Sequence, residues 1–369
     1  MQKWTYILVP LTLIAFSCSH EALAQTQDAY QHWLEQQQQQ YQTYKLTYKQ
    51  RYQQFKQQLE ARWHEYTELP DKQKYVQYAK QLGVKTVLDY GKNEIRVEAL
   101  EGEKLPTAQQ VIDSLSQKTV KQTIQTDPLL KSDDADKSKV PETQSGSESL
   151  LASLVGQEQG KALSTSDVQQ RTIKTRSNQV IHQLVIPLPK NSTWQRAKPY
   201  MAQAQQIADQ YQLDPKLIVS IMKEESAFNP MAQSPIPAFG LMQVVPGSAG
   251  LDVNQTLYHQ NQKPTKEQLF VGPVNMRYGG GYLHILNSRY LAKIKDPRSR
   301  MYCTIAAYNT GAGNVARAFN PNGSTKLSSA FNRINQMTPE QVYQHLEQNL
   351  PYNETRNYLA KVTRTYNTL

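Results

Sequence analysis

The sequence predicts a mainly α protein: an all-helical C-terminal domain preceded by a smaller α+β domain and, before that, a long N-terminal helix. Three observations carry this. Apolar and aromatic residues recur three or four apart from Trp33 to Tyr66, and helical patterning dominates again beyond residue 190. Period-two alternation is confined to short stretches within 86–98 and 180–186. The 369 residues are enough for two domains of ordinary size plus connecting sequence.

Composition narrows the class. Apolar residues make up 38% of the chain and charged residues 20%, against a usual apolar share of about 45–50%. The deficit lies in a Gln-rich stretch and a Ser/Asp/Lys-rich stretch. This excludes a multi-spanning membrane protein, a collagen-like chain and a disulfide-dense scaffold. Forty-one Lys plus Arg against 31 Asp plus Glu leave a net charge of +10, which favours an anionic partner. There is neither a run of five or six basic residues nor a C-x-x-C pair, so nucleic acid is not read as that partner.

At the N-terminus, Lys3 precedes an apolar run from Tyr6 to Phe16, too short to span a bilayer and sized like the core of a signal peptide. Two processing sites follow. Ala15-Phe16-Ser17-Cys18 offers a lipidation cysteine, and Ala22-Leu23-Ala24 offers cleavage to a soluble protein. Residues 1–24 are therefore read as a signal segment, with the mature chain starting at Cys18 or Gln25. The other cysteine, Cys303, sits in an apolar stretch without a partner motif and reads as a small buried hydrophobe.

Residues 25–66 read as a Tyr/Gln-rich helix with Tyr48, Tyr52, Phe55, Leu59 and Trp63 on one stripe, a packing or docking face first and a sugar platform second. Residues 67–130 together with 179–190 read as the α+β domain. Within it Lys74 to Tyr78 continues the helical pattern, and Thr86–Tyr90 and Glu94–Glu98 form a hairpin about Gly91-Lys92-Asn93. A helical stretch spans 108–124, and Val180–Ile186 is a third strand. Residues 131–178, rich in Ser, Asp, Lys and Gln, read as a flexible linker or insertion. Residues 191–369 form the helical domain.

The chemistry concentrates after Asp214-Pro215, an N-cap acceptor followed by Pro at the first helical position. On a wheel starting at Leu217, the direction of the apolar face is about 70° and Glu225 falls at about 80°, with Glu224 about 90° away at its edge. A carboxyl aimed into apolar surroundings keeps its proton to higher pH, which suits a general acid. A buried Glu neutralised by a structural Arg satisfies the same pattern, and this helix alone leaves both readings open. His182, His259, His284 and His345 are scattered without ligand spacing, so neither a metal nor another cofactor is implied.

The residues after Glu225 are more specific. Glu225-Ser226-Ala227-Phe228-Asn229-Pro230, then Ala232-x-Ser234, then Gly240-Leu241-Met242-Gln243 are followed by Ala306-Ala307-Tyr308-Asn309-x-Gly311-x-Gly313-x-Val315 and by Glu354-Thr355-Arg356-x-Tyr358. In this order the segments resemble the four motifs of the family 1 lytic transglycosylases, over residues 195–369. Residues 70–100, with the hairpin Asp89-Tyr90-Gly91-Lys92-Asn93-Glu94-Ile95-Arg96-Val97-Glu98, look like the N-terminal domain of membrane-bound members.

The resemblance implies a lysozyme-like catalytic domain that cleaves the β-1,4 bond between N-acetylmuramic acid and N-acetylglucosamine in peptidoglycan without water. One Glu serves as acid and then base, the substrate's N-acetyl group assists, and the C6 hydroxyl closes a 1,6-anhydro ring. Carried over residue by residue, Glu225 is the acid/base and Tyr308 orients it. Ser234 and Gln243 contact the N-acetyl group and sugar. Met242 and Asn309 build the cleft floor, and Glu354 is an acid of the groove. Each partner has a structural alternative: Ser234 as a turn residue, Met242 as core, Tyr308 as a packed aromatic, Glu354 as the ion-pair partner of Arg356. Val245 stands where many members have Met, and Pro235, Pro237 and Phe239 make the loop before Gly240 stiffer than usual.

By the same resemblance the chain is an outer-membrane lipoprotein facing the periplasm, lipidated at Cys18, with cleavage at Ala24 to a soluble periplasmic form as the alternative. Its partners are then peptidoglycan strands, whose stem carboxylates suit the positive charge, and outer-membrane lipid. The Tyr-rich helix is a candidate dock for cell-wall synthesis or division proteins. The rivals are a hydrolytic muramidase on the same scaffold and a non-catalytic peptidoglycan-binding lipoprotein.

Overall fold

The computed structural model describes residues 39, 42–43, 45–129, 147–155, 163, 167–235 and 237–369. Cys18, both processing sites and residues 25–38 lie outside these. Of residues 1–47 those described are helical. Residues 48–369 form one compact unit.

Within that unit the stripe of the Tyr-rich segment is a packing face. Residues 48–63 are helical (α1), and Leu59 and Trp63 are fully buried. Trp63 donates its indole N–H to the Leu82 carbonyl at 2.6 Å and packs with Leu100 and Ile181. A 3₁₀ turn at His64–Tyr66 ends the segment.

The sheet has five antiparallel strands in the order β1-β2-β3-β5-β4: β1 Lys74–Ala79, β2 Val84–Asp89, β3 Glu94–Leu100, β4 Gln169–Lys174 and β5 Val180–Pro187. The expected hairpin is β2–β3, with Asn93 at φ 56° closing its turn. Two expectations need correction. Lys74 to Tyr78 is strand, not helix: consecutive Tyr75 and Val76 are both buried, which a strand achieves when both sheet faces are covered. Lys80, Gln81 and Leu82, all at positive φ, then turn the chain into β2.

The 131–178 segment is also not all linker. Leu150–Val155 is a helix (α4) that buries Leu150, Leu151, Leu154 and Val155, and β4 is the sheet edge, paired with β5. An edge strand facing water on most of its residues has no apolar alternation to reveal it. The remainder, 131–146, 156–162 and 164–166, lies outside the described residues. The expected helix over 108–124 is two, α2 Ala108–Gln117 and α3 Val120–Thr126, because Thr119 and Gln122 form a second capping box after that of Thr107 and Gln110.

The helical part comprises α5 Ser192–Tyr211, α6 Pro215–Ser226, α7 Leu251–Leu257, α8 Lys266–Leu269, α9 Gly272–Ile285, α10 Pro297–Thr310, α11 Ala312–Phe319, α12 Leu327–Ile334, α13 Pro339–Asn349 and α14 Asn353–Thr368. Helix α6 starts as its sequence dictates, with the Asp214 side chain accepting the Lys216 N–H, and packs between α5 and α14. None of the described helices is long and apolar enough to cross a membrane.

One buried residue welds the sheet to the helices. Arg196 of α5, 3% exposed, donates to the carbonyls of Tyr90, Leu154 and Ala227 and to Asn93 Oδ1. Desolvation lowers its pKa to about 10, so these neutral acceptors hold a cation without a salt-bridged carboxylate. The expected two domains therefore share one body.

Candidate active site

Helix α6 stops one residue after Glu225. Ala227 and Phe228 take left-handed conformations, φ 50° and 63°, so the chain turns away before reaching Pro230. Two anchors hold this strained turn. Arg196 Nε donates to the Ala227 carbonyl at 3.0 Å, and the buried Ser226 hydroxyl reaches the carbonyls of Met222 and Leu241. The second anchor ties the end of α6 to the loop carrying the next motif.

That loop needs its glycine. Gly240 has φ +74°, and a Cβ there would meet the Leu269 carbonyl oxygen at 2.2 Å and the Asn275 amide at 2.4 Å. Asn275, fully buried in α9, knits the loop together: its amide donates to the Phe239 and Leu269 carbonyls, and its Oδ1 accepts the Met242 N–H at 2.8 Å. No periodicity or motif pointed to Asn275; its signal is only an Asn at a position the helix buries.

Glu225 is 5% exposed, on the buried face as the wheel predicted. Burial pushes its carboxyl up to about 7; Lys72 and the Tyr358 hydroxyl oppose the rise, and Glu354 and Glu224 add to it. The open choice between a proton-holding acid and an Arg-neutralised Glu is thereby narrowed. Among the described residues the cation at ion-pair distance is Lys72, at 3.8 Å. Its neighbour Glu224 is differently placed. The Glu224 carboxylate accepts from Thr365 Oγ1 at 2.6 Å and from Lys223 at 3.1 Å.

The other expected residues divide into those beside the carboxyl and those beneath it. Tyr308 of α10 is half-buried near Glu225, but its hydroxyl donates to the Met242 carbonyl at 2.8 Å rather than to the carboxyl expected from the resemblance. The hydroxyl that favours the ionised Glu225 carboxyl is that of Tyr358, one turn along α14 from Glu354; it is buried and makes no hydrogen bond of ordinary geometry among the described residues. Tyr358 stood in the fourth motif without an assigned role. The Met242 side chain is fully buried, so it supports the site from the core. Gln243, at φ 50°, turns its amide back onto the Gly240 carbonyl at 3.0 Å. Asn309 Oδ1 accepts from Thr355 at 2.7 Å, linking α10 to α14. The Ser234 carbonyl accepts from Tyr48 of α1, whose ring also meets Phe239 edge-on at 6.2 Å. Glu354 is exposed and pairs with Lys72 at 3.6 Å; Arg356 bonds to Asn353 and the Gln348 carbonyl instead.

Beside this region a cavity of about 440 Å³ is lined by Asp252, Tyr282, Tyr290 and Gly313 among others. Tyr282 also packs against Tyr308, ring centres 5.7 Å apart, so the cavity adjoins the site. Cys303 is buried and free, and burial pushes its thiol far up, as fits a small hydrophobe. Among the described residues no group of three or more His, Cys, Asp or Glu is placed to hold a metal ion.

Comparison with known proteins places part of the site, but not Lys72, Glu354 or Tyr358, within one matched domain. Residues 202–331 match the transglycosylase SLT domain. The chain is 41% identical over 207 residues to membrane-bound lytic murein transglycosylase C of Salmonella typhimurium, covering 55% of this chain and 56% of that protein. It is 43% identical over 195 residues to the protein of the same name from Klebsiella pneumoniae strain 342, covering 52% and 53%. The chain thus spans about half the length of the curated relatives it matches. Among solved structures, an inactive variant of lytic transglycosylase Slt from Pseudomonas aeruginosa aligns over 47% of this chain and 25% of its own at 24% identity and TM-score 0.32. The 70 kDa soluble lytic transglycosylase of Escherichia coli aligns over the same shares at 20% and 0.33. Glu225, Gly240–Gln243 and Tyr308 all lie inside the segment that matches the transglycosylase SLT domain.

Proposed function

We propose that the protein is a peptidoglycan lytic transglycosylase that breaks the β-1,4 bond between N-acetylmuramic acid and N-acetylglucosamine and leaves a 1,6-anhydro end. The observation that carries the reading is the buried Glu225 carboxyl, pushed up to about 7 by its apolar surroundings and so able to hold a proton near neutrality. Glu225 gives that proton to the bridging oxygen. The N-acetyl group of the substrate assists departure of the leaving sugar. The carboxylate so formed then takes the proton of the C6 hydroxyl as that oxygen attacks C1. Most glycosidases need a second carboxylate as nucleophile or base. Here the neighbouring Glu224 is engaged by Thr365 and Lys223, which suits a mechanism in which the substrate supplies that function.

The partners follow in the same reading. The Tyr358 hydroxyl favours the ionised carboxyl and Tyr308 braces Met242 beneath it. In this reading Ser234 and Gln243 contact the N-acetyl group and sugar, Met242 and Asn309 build the floor of the cleft, and Glu354 is an acid of the groove. The relatives' name, membrane-bound, supports membrane association; in this reading lipid on Cys18 is the anchor and the enzyme faces the periplasm. Palmitate labelling of the full chain, lost in Cys18→Ala, checks the anchor.

Mass spectrometry of products released from purified sacculi by residues 25–369 tests the activity. The expected muropeptides are lighter by one water than hydrolytic products and vanish with Glu225→Gln. Reducing-end products would make the protein a muramidase. Binding without any products, in wild type and variant alike, would make it a peptidoglycan-binding protein.

A further inference from the structure

The turn before β1 lies against the end of α6. Asp71 Oδ1 accepts the N–H groups of both Gln73 and Lys74 at 2.8 Å, and the Asp71 N–H donates to the Lys74 carbonyl. This holds Lys72 at the tip. Gln73 Nε2 reaches the Glu224 carbonyl and Asn229 Nδ2 reaches the Lys72 carbonyl, each at 3.5 Å. The turn does not need the Lys72 ammonium for itself, since Asp71 is paired with Lys74 at 3.3 Å. The Lys72 ammonium instead points across to the helical part, 3.8 Å from Glu225 Oε2 and 3.6 Å from Glu354 Oε1.

We propose that Lys72, carried by the sheet part of the molecule, is a positioning residue for Glu225: its ammonium, shared with Glu354, governs how readily the acid parts with its proton. The groups facing Glu225 are Lys72 from this turn, Tyr358 and Glu354 from α14, Tyr308 from α10 and Glu224 beside it. Among these Lys72 is the cation. It favours the ionised carboxylate that exists between proton donation and proton recovery. Glu354 acts against it in two ways, through its own charge and by holding the ammonium away. This gives the sheet part a chemical share in the site, and a soluble helical domain alone would lack it. The inference rests on Glu225 being the acid, so its test reads the carboxyl directly as well as turnover.

The experiment is a ¹³C carboxyl titration of Glu225 in the full chain, assigned by the signal missing from Glu225→Gln, with the pH profile of kcat/KM on sacculi beside it. Lys72→Met is expected to move the titration up by about one pH unit, the lower end of what a nearby opposite charge produces. Lys72→Arg keeps it near wild type, and Glu354→Gln moves it down. The high-pH limb of kcat/KM follows the same signs. One unit above the wild-type limb, Lys72→Met then retains about fivefold more of its plateau rate. Glu354 is exposed, so Glu354→Gln remains readable even if Lys72→Met fails to fold. Unmoved titrations in folded Lys72→Met and Glu354→Gln would overturn the proposal. Titrations that move while no variant yields anhydro products would uphold the coupling and remove the transglycosylase reading alone.

Discussion

Among the described residues two Lys–Glu pairs have a buried carboxyl, and they are built differently. In the sheet, Lys85 and Glu98 face each other in register across β2 and β3, 2.6 Å apart, with side chains 1% and 0% exposed. Arg96 and Gln183 also reach Glu98, and the ammonium lies over the Trp63 ring at 4.6 Å. At the site, Lys72 is one-third exposed, stands 3.8 Å from Glu225 and divides itself with Glu354. Both carboxyls are buried. The sheet surrounds its carboxyl with donors at contact distance, whereas the site offers one distant cation and one hydroxyl, and Glu225 rises to about 7. A buried carboxyl becomes a usable acid where its partners are few and far.

Removing Glu225 should have the largest consequence. Glu225→Gln is expected to cut turnover of sacculi by about 10²–10⁴-fold, the range a positioned general acid contributes. The variant's thermal unfolding midpoint is expected to be no lower than the wild type's, because the amide fills the same volume without a buried charge. A matching loss of midpoint would mean that Glu225 is structural and that the contrast with Glu98 fails.

Breaking the sheet pair should do the reverse. Lys85→Met leaves Glu98 buried beside Arg96 and Gln183 without its closest cation, and is expected to cost about 3–5 kcal/mol in urea unfolding. The double variant Lys85→Met/Glu98→Leu should recover most of that loss, since removing both charges also removes their desolvation. Turnover per folded molecule stays unchanged in either.

How much of this was legible in the sequence follows the same physics. The place of Glu225 on the apolar face, the start of α6 at Asp214-Pro215 and the β2–β3 hairpin are set by neighbours a few residues away, so spacing revealed them. Lys72, Asn275 and Arg196 act on groups between about 30 and 150 residues away, and a Lys in a polar loop carries no local mark of that. Edge strand β4 stayed hidden for a related reason: its pairing with β5 is a backbone event and its exposed side chains are free to be polar. The family motifs located Tyr308 but not what it holds.

Linkage offers a test without substrate. Glu225 titrates at about 7 in the folded chain against 4.5 for an unperturbed carboxyl. Between those values the native state binds more protons than the unfolded one, so stability is full below pH 4.5 and falls as pH rises through 7. The loss is about 3 kcal/mol. Urea unfolding at pH 4.5 and 8 should show that decline in the wild type, after subtraction of the Glu225→Gln profile measured alongside. Equal profiles would mean that the Glu225 carboxyl titrates in the folded chain as it does in the unfolded one, so that burial does not hold its proton.

The smallest effect separates the two tyrosines. Tyr358→Phe removes the hydroxyl that favours the Glu225 carboxylate, so the Glu225 titration and the high-pH limb of kcat/KM should both move up. Tyr308→Phe instead leaves the Met242 carbonyl without its 2.8 Å donor, a loss of about 1–3 kcal/mol. It should lower the unfolding midpoint and slow turnover while the limb stays in place. Exchange of these outcomes, with Tyr308→Phe moving the limb and Tyr358→Phe leaving it, would mean that substrate draws the Tyr308 hydroxyl from Met242 onto Glu225. The arrangement in the free protein would then be the resting form of a site that rearranges when the glycan enters.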